Sequence, residues 1–367
     1  MIAFIRFVRS LAFVTLSLLS ACSTSYIART PILPPPQSLI AAPIDPQAVS
    51  FHRVILGEHE ADMIGTVQVT RADYEDTFTD IARRFNLGYE ELVRSNPGVD
   101  PWLPGAGRQI ILPSLHVLPD APREGVVINV AAMRLYYFPK QVVGEAKIVY
   151  TFPIGIGRVG FATPEGFTKI TRKAKNPNWV PGPDVRAEHK RDGEILPAVV
   201  KPGPDNPLGT RAIYLDWPSY LIHGTNKPSG VGLRSSHGCI RLFPEDIELL
   251  YELVKSGDKV SVVNQPFVFG WQNGELYLQA FDVLEDDPRD WQKARKKLIS
   301  KALAIRMQKR LKETKRVLNW DEVVRLSQDS LGLPVQITSS DASIKSLIVS
   351  APRVRNALPI GANWDGK

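Results

Sequence analysis

The sequence predicts a mainly β domain over residues 124–264, a small α/β unit ahead of it and a helical extension behind it. Three observations carry this. From Gly125 on, β-branched and aromatic runs at 126–130, 134–138 and 147–152 follow one another, split by turn residues. Residues 66–113 read as strand, helix, helix, strand. Over 290–316 the apolar residues Ile299, Leu303, Met307 and Leu311 recur four apart among lysines and arginines, the spacing of one helix face. A chain of 367 residues with 44% hydrophobic content is long enough for two or three such units with real cores.

In chain order, residues 1–21 have the form of a targeting segment. Arg6 and Arg9 precede an apolar run at 11–19 that is too short to span a bilayer comfortably, and Leu19-Ser20-Ala21-Cys22 closes it. Those four residues resemble a bacterial lipobox. The resemblance implies cleavage before Cys22 and lipid attached to it. With Ser23 rather than Asp next, it also implies sorting to the outer membrane of a Gram-negative cell, facing the periplasm. Residues 22–64 read as a linker. Pro31, Pro34, Pro35, Pro36 and Pro43 make it an extended, semi-rigid spacer.

Residues 65–114 form the small unit. Val67-Gln68-Val69 alternates as a strand, a helix starts at 76–80 with Ile81 and Phe85 on one face, and residues 89–93 form a second helix. Ser95-Asn96-Pro97-Gly98 ends it, and residues 109–113 close as a strand. With Asp76-Thr77-Phe78, Asn96-Pro97 and Ile111-Leu112-Pro113, this βααβ order resembles a LysM domain, although Glu75 stands where that family usually has Gly. The resemblance implies binding to N-acetylglucosamine-containing glycan. A spacer of the same fold is the alternative, since a fold does not dictate a function.

Within 124–264 one helix is expected, at 244–254, with strands at 210–215 and 259–263. Gly155-Ile156-Gly157-Arg158-Val159-Gly160 matches the dinucleotide-binding fingerprint by spacing. Pro164 and Gly166 bar the helix that this motif needs for its phosphate site, so a strand corner is expected instead. Loops at 163–166 and 176–181 fall near the cleft. In the extension, 265–367, the basic helix at 290–316 reads as a solvated helix packed by its apolar stripe, in preference to a membrane- or wall-binding one. After Leu331-Gly332-Leu333-Pro334-Val335 the sequence offers no chemical signal.

The net charge of +7 suits a carboxylate-rich polymer or a membrane surface. It is too dispersed to argue for nucleic acid. There are two cysteines. If Cys22 carries lipid, Cys239 is an exported thiol without a disulfide partner, which points to chemistry at that thiol.

Cys239 lies in the most informative stretch of the chain. His223-Gly224 follows the strand-like Tyr220-Leu221-Ile222. Twelve residues, rich in glycine, lead to Ser236-His237-Gly238-Cys239-Ile240-Arg241. A free thiol is only about 3% thiolate at pH 7, so a reactive cysteine needs a base or a positive neighbour. A return of the chain can supply His223 as that base, while the amides of Gly238 and Cys239 are candidates for an oxyanion hole. A surface loop with a buried cysteine is the competing reading. A metal site from His223, His237 and Cys239 would want His189 as its fourth ligand.

This arrangement resembles the L,D-transpeptidase (YkuD) catalytic domain. Its motif is a histidine, a loop of a dozen or more residues, then Ser/Thr-His-Gly-Cys, an apolar residue and Arg or Asn. The resemblance covers about residues 125–264 and implies a fold, a mixed β sheet or sandwich. It implies Cys239 as nucleophile, His223 as base and Gly224 as the carbonyl that orients the histidine. Ser236, His237 and Gly238 take supporting places, and Arg241, with Arg234 on the loop, takes substrate-binding ones. It further implies peptidoglycan stem peptides and glycan as partners and no cofactor. The reaction would be attack on the diaminopimelate carbonyl of a tetrapeptide stem with loss of D-Ala, then transfer to an amine. The short loop matches the subgroup that includes enzymes attaching a lipoprotein to the wall. The acceptor stays open between a second stem, a lipoprotein lysine and water. Cysteine peptidases of the NlpC/P60 kind place the cysteine before the histidine, the reverse of the order here. A non-catalytic wall-binding lipoprotein remains the non-enzyme alternative.

Overall fold

A computed structural model describes residues 52–57, 62–338 and 343–364, without the side chains of 302–310. The leader at 1–21, Cys22 and the prolines at 31–43 lie outside the described residues.

The described chain opens with β1 (Arg53–Ile55) and β2 (Met63–Gly65). The first of these is a strand within the stretch expected to be linker. Its three residues pair antiparallel with Ile148–Tyr150 at the edge of the central sheet, and a three-residue strand is too short to show a period. The small unit follows as β3 (Gln68–Arg71), α1 (Phe78–Arg84), α2 (Tyr89–Ser95) and β4 (Gln109–Leu112), with β3 and β4 antiparallel. Thr77 caps α1, its side chain accepting from the amide of Asp80 while the Asp80 carboxylate accepts from the amide of Thr77. Phe78, Ile81, Leu92, Ile110 and Leu112 make its core. The strand β5 (Leu115–Val117) pairs back to β2.

The central sheet begins with the meander β6 (Gly125–Asn129), β7 (Arg134–Phe138) and β8 (Ile148–Pro153). After it come β9 (Ile156–Gly157), β10 (Gly166–Lys175), α3 (Pro183–Arg191), β11 (Arg211–Leu215) and β12 (Leu221–His223). Next are β13 (Arg234–Ser236), β14 (Ile240–Arg241), α4 (Pro244–Leu253) and β15 (Lys259–Val263). Nine strands run in the order β1-β8-β7-β6-β15-β10-β11-β12-β14. The pairs β6–β15 and β12–β14 are parallel and the others antiparallel, so the sheet is mixed. β10 pairs Gly166–Lys169 with β15 and then Ile170 and Arg172–Lys175 with β11, with a register shift between Ile170 and Arg172. A bulge at such a point bends the strand and lets the sheet curl.

Under the curl sits one apolar cluster that includes Ile128, Leu135, Phe152, Ile213, Ile222 and Ile240. α4 covers it with Ile247, Leu250 and Tyr251, spaced as one helix face, and starts at Pro244 with Glu245 and Asp246 in its first turn. The domain therefore has two helices where one was expected. α3 escaped a reading based on apolar periodicity because none of its residues is buried. The 155–160 glycines lie, as expected, on a strand corner: β9 ends at Gly157 and no helix follows before β10.

The extension is not helical alone. A hairpin of β16 (Phe267–Gln272) and β17 (Glu275–Ala280) opens it. α5 (Trp291–Thr314) and α6 (Trp320–Asp329) follow, then β18 (Val335–Gln336) pairs onto β17, and α7 (Ile344–Val349) ends the set. Ile299 of the expected stripe is buried against this hairpin with Trp291 and Phe267, and Leu311 packs on the same cluster. Leu303 and Met307 fall among the undescribed side chains. No helix of the described residues is long and apolar enough to cross a membrane.

Candidate active site

β12 and β14 are the frame. They pair parallel with Ile222 opposite Ile240 and His223 opposite Arg241. Both isoleucines are fully buried in the core beneath. Because side chains alternate along a strand, Leu221, His223, Cys239 and Arg241 are then directed to the opposite face. Cys239 is thus a diagonal neighbour of His223 across the two strands. Backbone bonds fix the far side of β14: the Gly155 amide donates to Arg241 O (2.8 Å) and the Arg241 amide to Gly155 O (2.9 Å).

His223 is buried, at 4% exposure. Its Nδ1 lies 2.6 Å from the carbonyl oxygen of Gly224, which can only accept, so Nδ1 carries the proton and Nε2 keeps a lone pair. Burial, reinforced by the charge of Arg241, lowers its pKa to about 3. The imidazole is neutral at every physiological pH.

Cys239 is a free thiol with partial exposure. It donates to the carbonyl of Ser219 at 3.6 Å, a residue held at φ +68° in the hairpin between β11 and β12. Burial raises the thiol pKa, while a bond from the Leu221 backbone and the positive charge of Arg241 act in the other direction. The resting pair is therefore thiol and neutral imidazole, with the thiolate-stabilising groups already in place.

The turn before Cys239 is held from three sides. Ser236 Oγ donates to Cys239 O (2.6 Å) and accepts from the Gly238 amide (3.2 Å). Thr163 Oγ1 donates to Gly238 O (2.9 Å) and accepts from the Gly157 amide (3.1 Å). Gly238 adopts φ +100°, and a Cβ there would meet the Tyr220 ring at 2.8 Å, so both conformation and space require glycine. By sequence alone Thr163 is only a residue of a nearby loop. Its role depends on a contact 75 residues away, for which the sequence carries no local signal.

Arg241 packs its guanidinium against Gly230, where a Cβ would lie 2.7 Å from Nη1, and Nη1 donates to Ser235 Oγ at 3.2 Å. Arg241, His237, Lys227 and Trp179 line a cleft of about 740 Å³. Ser219, Tyr220, Trp217 and Tyr214 line a second, shallower one of about 420 Å³. Arg234 belongs to neither. It forms a two-pronged ion pair with Asp286 of the extension (2.7 and 2.8 Å), which ties the loop between His223 and Cys239 to the C-terminal part. His189, weighed as a fourth metal ligand, is paired with Glu194 at 2.7 Å.

The loop is braced by the small unit as well. Amides of Tyr89 and Glu90, at the start of α2, donate to Val231 O and Gly232 O at 3.5 and 3.2 Å. Gly232, at φ +79°, leaves room for the backbone of Gly88 and Tyr89.

Residues 123–262 match the family model for the L,D-transpeptidase catalytic domain, YkuD. The chain is similar to the probable L,D-transpeptidase YcfS of Escherichia coli (strain K12), 44% identical over 218 residues, covering 57% of this chain and 67% of that protein. It is also similar to the probable L,D-transpeptidase ErfK/SrfK of the same strain, 38% identical over 265 residues, covering 70% of this chain and 81% of that protein. The probable L,D-transpeptidase YbiS of that strain is 46% identical over 186 residues, which cover 50% and 59% of the two chains.

Proposed function

The chain belongs to the L,D-transpeptidase family, and on that premise we propose that it is a cysteine acyltransferase acting on peptidoglycan stems through Cys239 and His223. The observation that carries the reading is the neutral His223, its Nδ1–H spent on Gly224 and a lone pair left on Nε2, on the same strand face as the thiol.

In the first step His223 Nε2 takes the thiol proton as Sγ attacks the carbonyl carbon of diaminopimelate in a tetrapeptide stem. The oxyanion that forms is stabilised by backbone amide donation. Because the Gly238 amide already donates to Ser236, this role falls mainly to the amide of Cys239. His223 then gives its proton to the departing D-Ala nitrogen, leaving a thioester. In the second step an acceptor amine, deprotonated by His223, attacks the thioester and returns the proton to sulfur. Two clefts lined by neighbours of Cys239, one by His237 and Arg241 and the other by Ser219, suit a reaction with two substrates that enter in turn. Arg241 supplies a cation for a stem carboxylate in the larger one.

The small βααβ unit is assigned as a LysM-like glycan-binding module. Tyr74 and Trp102 are exposed at 84% and 60% on neighbouring loops, with Tyr89 6.0 Å from Trp102, and aromatic faces of this kind stack on sugar rings. The leader and Cys22 fit a lipid-anchored protein of the outer membrane, facing the periplasm, with a wall-bound lipoprotein within reach as acceptor.

The reading is tested by incubating the protein with tetrapeptide wall fragments, alone and with a lysine-ended lipoprotein peptide, and identifying products by mass spectrometry. Dimers joined between diaminopimelates, or a stem joined to the lysine, support transfer. Tripeptide alone would make water the acceptor, and unchanged fragments would remove the enzyme reading.

A further inference from the structure

The segment 177–207 lines the larger cleft with Trp179, Val185, His189 and Glu194 and is fixed at its base. Trp179 and Val200 exchange backbone bonds of 2.9 and 2.8 Å, and the fully buried Asn206 donates to Pro177 O at 2.8 Å. Its outer part is α3, whose sequence Pro-Asp-Val-Arg-Ala-Glu-His-Lys-Arg buries no residue. A helix without a buried face has no hydrophobic reason to stay where it is. Two of its side chains bond within the segment, Arg186 to Pro181 O (2.9 Å) and His189 to Glu194. Glu188 reaches out of it. Its carboxylate lies 2.7 Å from His237 Nε2 and is also bonded to Arg158 Nη2.

Both partners are held by the site. Arg158 Nη2 is 3.2 Å from His237 Nε2, and the Arg158 amide donates to Ser236 O at 3.0 Å. The Phe161 ring meets His237 edge-on at 4.7 Å and lies 4.7 Å from the Arg158 guanidinium. His237 lines the cleft two residues before Cys239. We propose that Glu188 is a latch and positioning residue: it pins α3 at the larger cleft and holds the His237 ring through one shared carboxylate, so that the bound donor stem is retained. All three side chains keep partial exposure, at 22%, 28% and 36% for Glu188, His237 and Arg158. Exposed ion pairs are weak and screened by salt. That suits a contact which must open for each substrate and close again.

The inference rests on the Cys239 reading, so its test includes a readout that needs no catalysis. In Glu188→Gln, amide hydrogen exchange over 183–191 is expected to rise roughly tenfold. The melting temperature and the rate of Cys239 alkylation by iodoacetamide should be unchanged. KM for the tetrapeptide donor is expected to rise roughly fivefold with kcat altered less than about twofold, and the gap to wild type should narrow in high salt. Unchanged exchange, or an unchanged KM, would overturn the latch. A fall in melting temperature that accounts for the lost activity would make Glu188 a structural brace and overturn it equally. Absence of transfer in the wild type would count against the Cys239 assignment, and the exchange over 183–191 in Glu188→Gln would then decide the latch: a rise supports it and no change overturns it.

Discussion

His223 stands opposite Arg241 across two parallel strands, and Cys239 sits two residues earlier on the same face as both. The arginine therefore faces both the imidazole and the thiol, the proposed base and nucleophile. Its charge helps keep His223 unprotonated and favours the thiolate of Cys239. Both effects push a proton away from the site.

The thiol should not behave as a preformed ion pair. Alkylation of Cys239 by iodoacetamide is expected to climb steadily from pH 7 towards and beyond about 8.5, the free-thiol value, because burial holds the thiol in its protonated form. A rate already level between pH 5 and 7 would mean a thiolate–imidazolium pair and contradict the neutral His223. His223→Ala should lower the transfer rate by roughly 10²- to 10⁴-fold, the usual range for a lost general base.

Arg241→Lys keeps the charge but loses the planar fork that grips both oxygens of a carboxylate. It is expected to cost roughly ten- to a hundredfold in transfer rate, the equivalent of about 1.5–3 kcal/mol. Lys227→Ala, on the open loop of the same cleft, should cost little. If Arg241→Lys instead lowers the melting temperature enough to explain its lost activity, the arginine is a brace for Ser235 and Gly230.

Stability should fall in acid partly on account of His223. Its folded pKa of about 3 lies below the ordinary 6.5, so between those values the unfolded chain binds the extra proton. Stability from this group is then complete above pH 6.5 and is lost as pH falls towards 3, by up to about 1.4 kcal/mol per pH unit. Buried His116 acts in the same direction. His223→Gln should flatten the fall of unfolding free energy between pH 6.5 and 4 by close to one proton's worth. An unaltered slope would mean that His223 titrates in the folded protein.

Gly232→Ala tests the brace from the small unit. A Cβ there would lie 2.2 Å from the Tyr89 nitrogen and 2.4 Å from Gly88 Cα, at a φ of +79°. Backbone cannot yield cheaply, so a loss of about 1–3 kcal/mol is expected from strain alone, with the site loop displaced and activity reduced. Gly160→Ala, also at positive φ but in open space, is the control and should cost less. Equal melting temperatures for Gly232→Ala and wild type would remove the brace.

Much of the site was legible in the sequence because its chemistry is local. Ser236, Gly238 and Cys239 form one turn, and Ile222 and Ile240 announce the two core strands that aim His223 and Cys239. What stayed hidden depends on distant partners. Arg234 looks like a substrate cation until Asp286, 52 residues on, is seen to hold it. Thr163 looks like loop until it meets Gly238. α3 has no apolar face for a period to reveal, and β1 is too short to have a period. The basic helix at 290–316 is visible from its stripe, whereas the hairpin β16–β17 before it is not, since β16 is buried nearly throughout and lacks a clean alternation.

The central claim is that Cys239 carries the acyl group between donor and acceptor. Intact-protein mass spectrometry after brief mixing with a disaccharide-tetrapeptide, quenched in acid before acceptor is added, tests it directly. The expected result is a single adduct equal to the donor less D-alanine, located on the peptide containing Cys239, discharged by added amine and absent in Cys239→Ala. Transfer at the wild-type rate in Cys239→Ala, or an adduct located elsewhere in the chain, would contradict it.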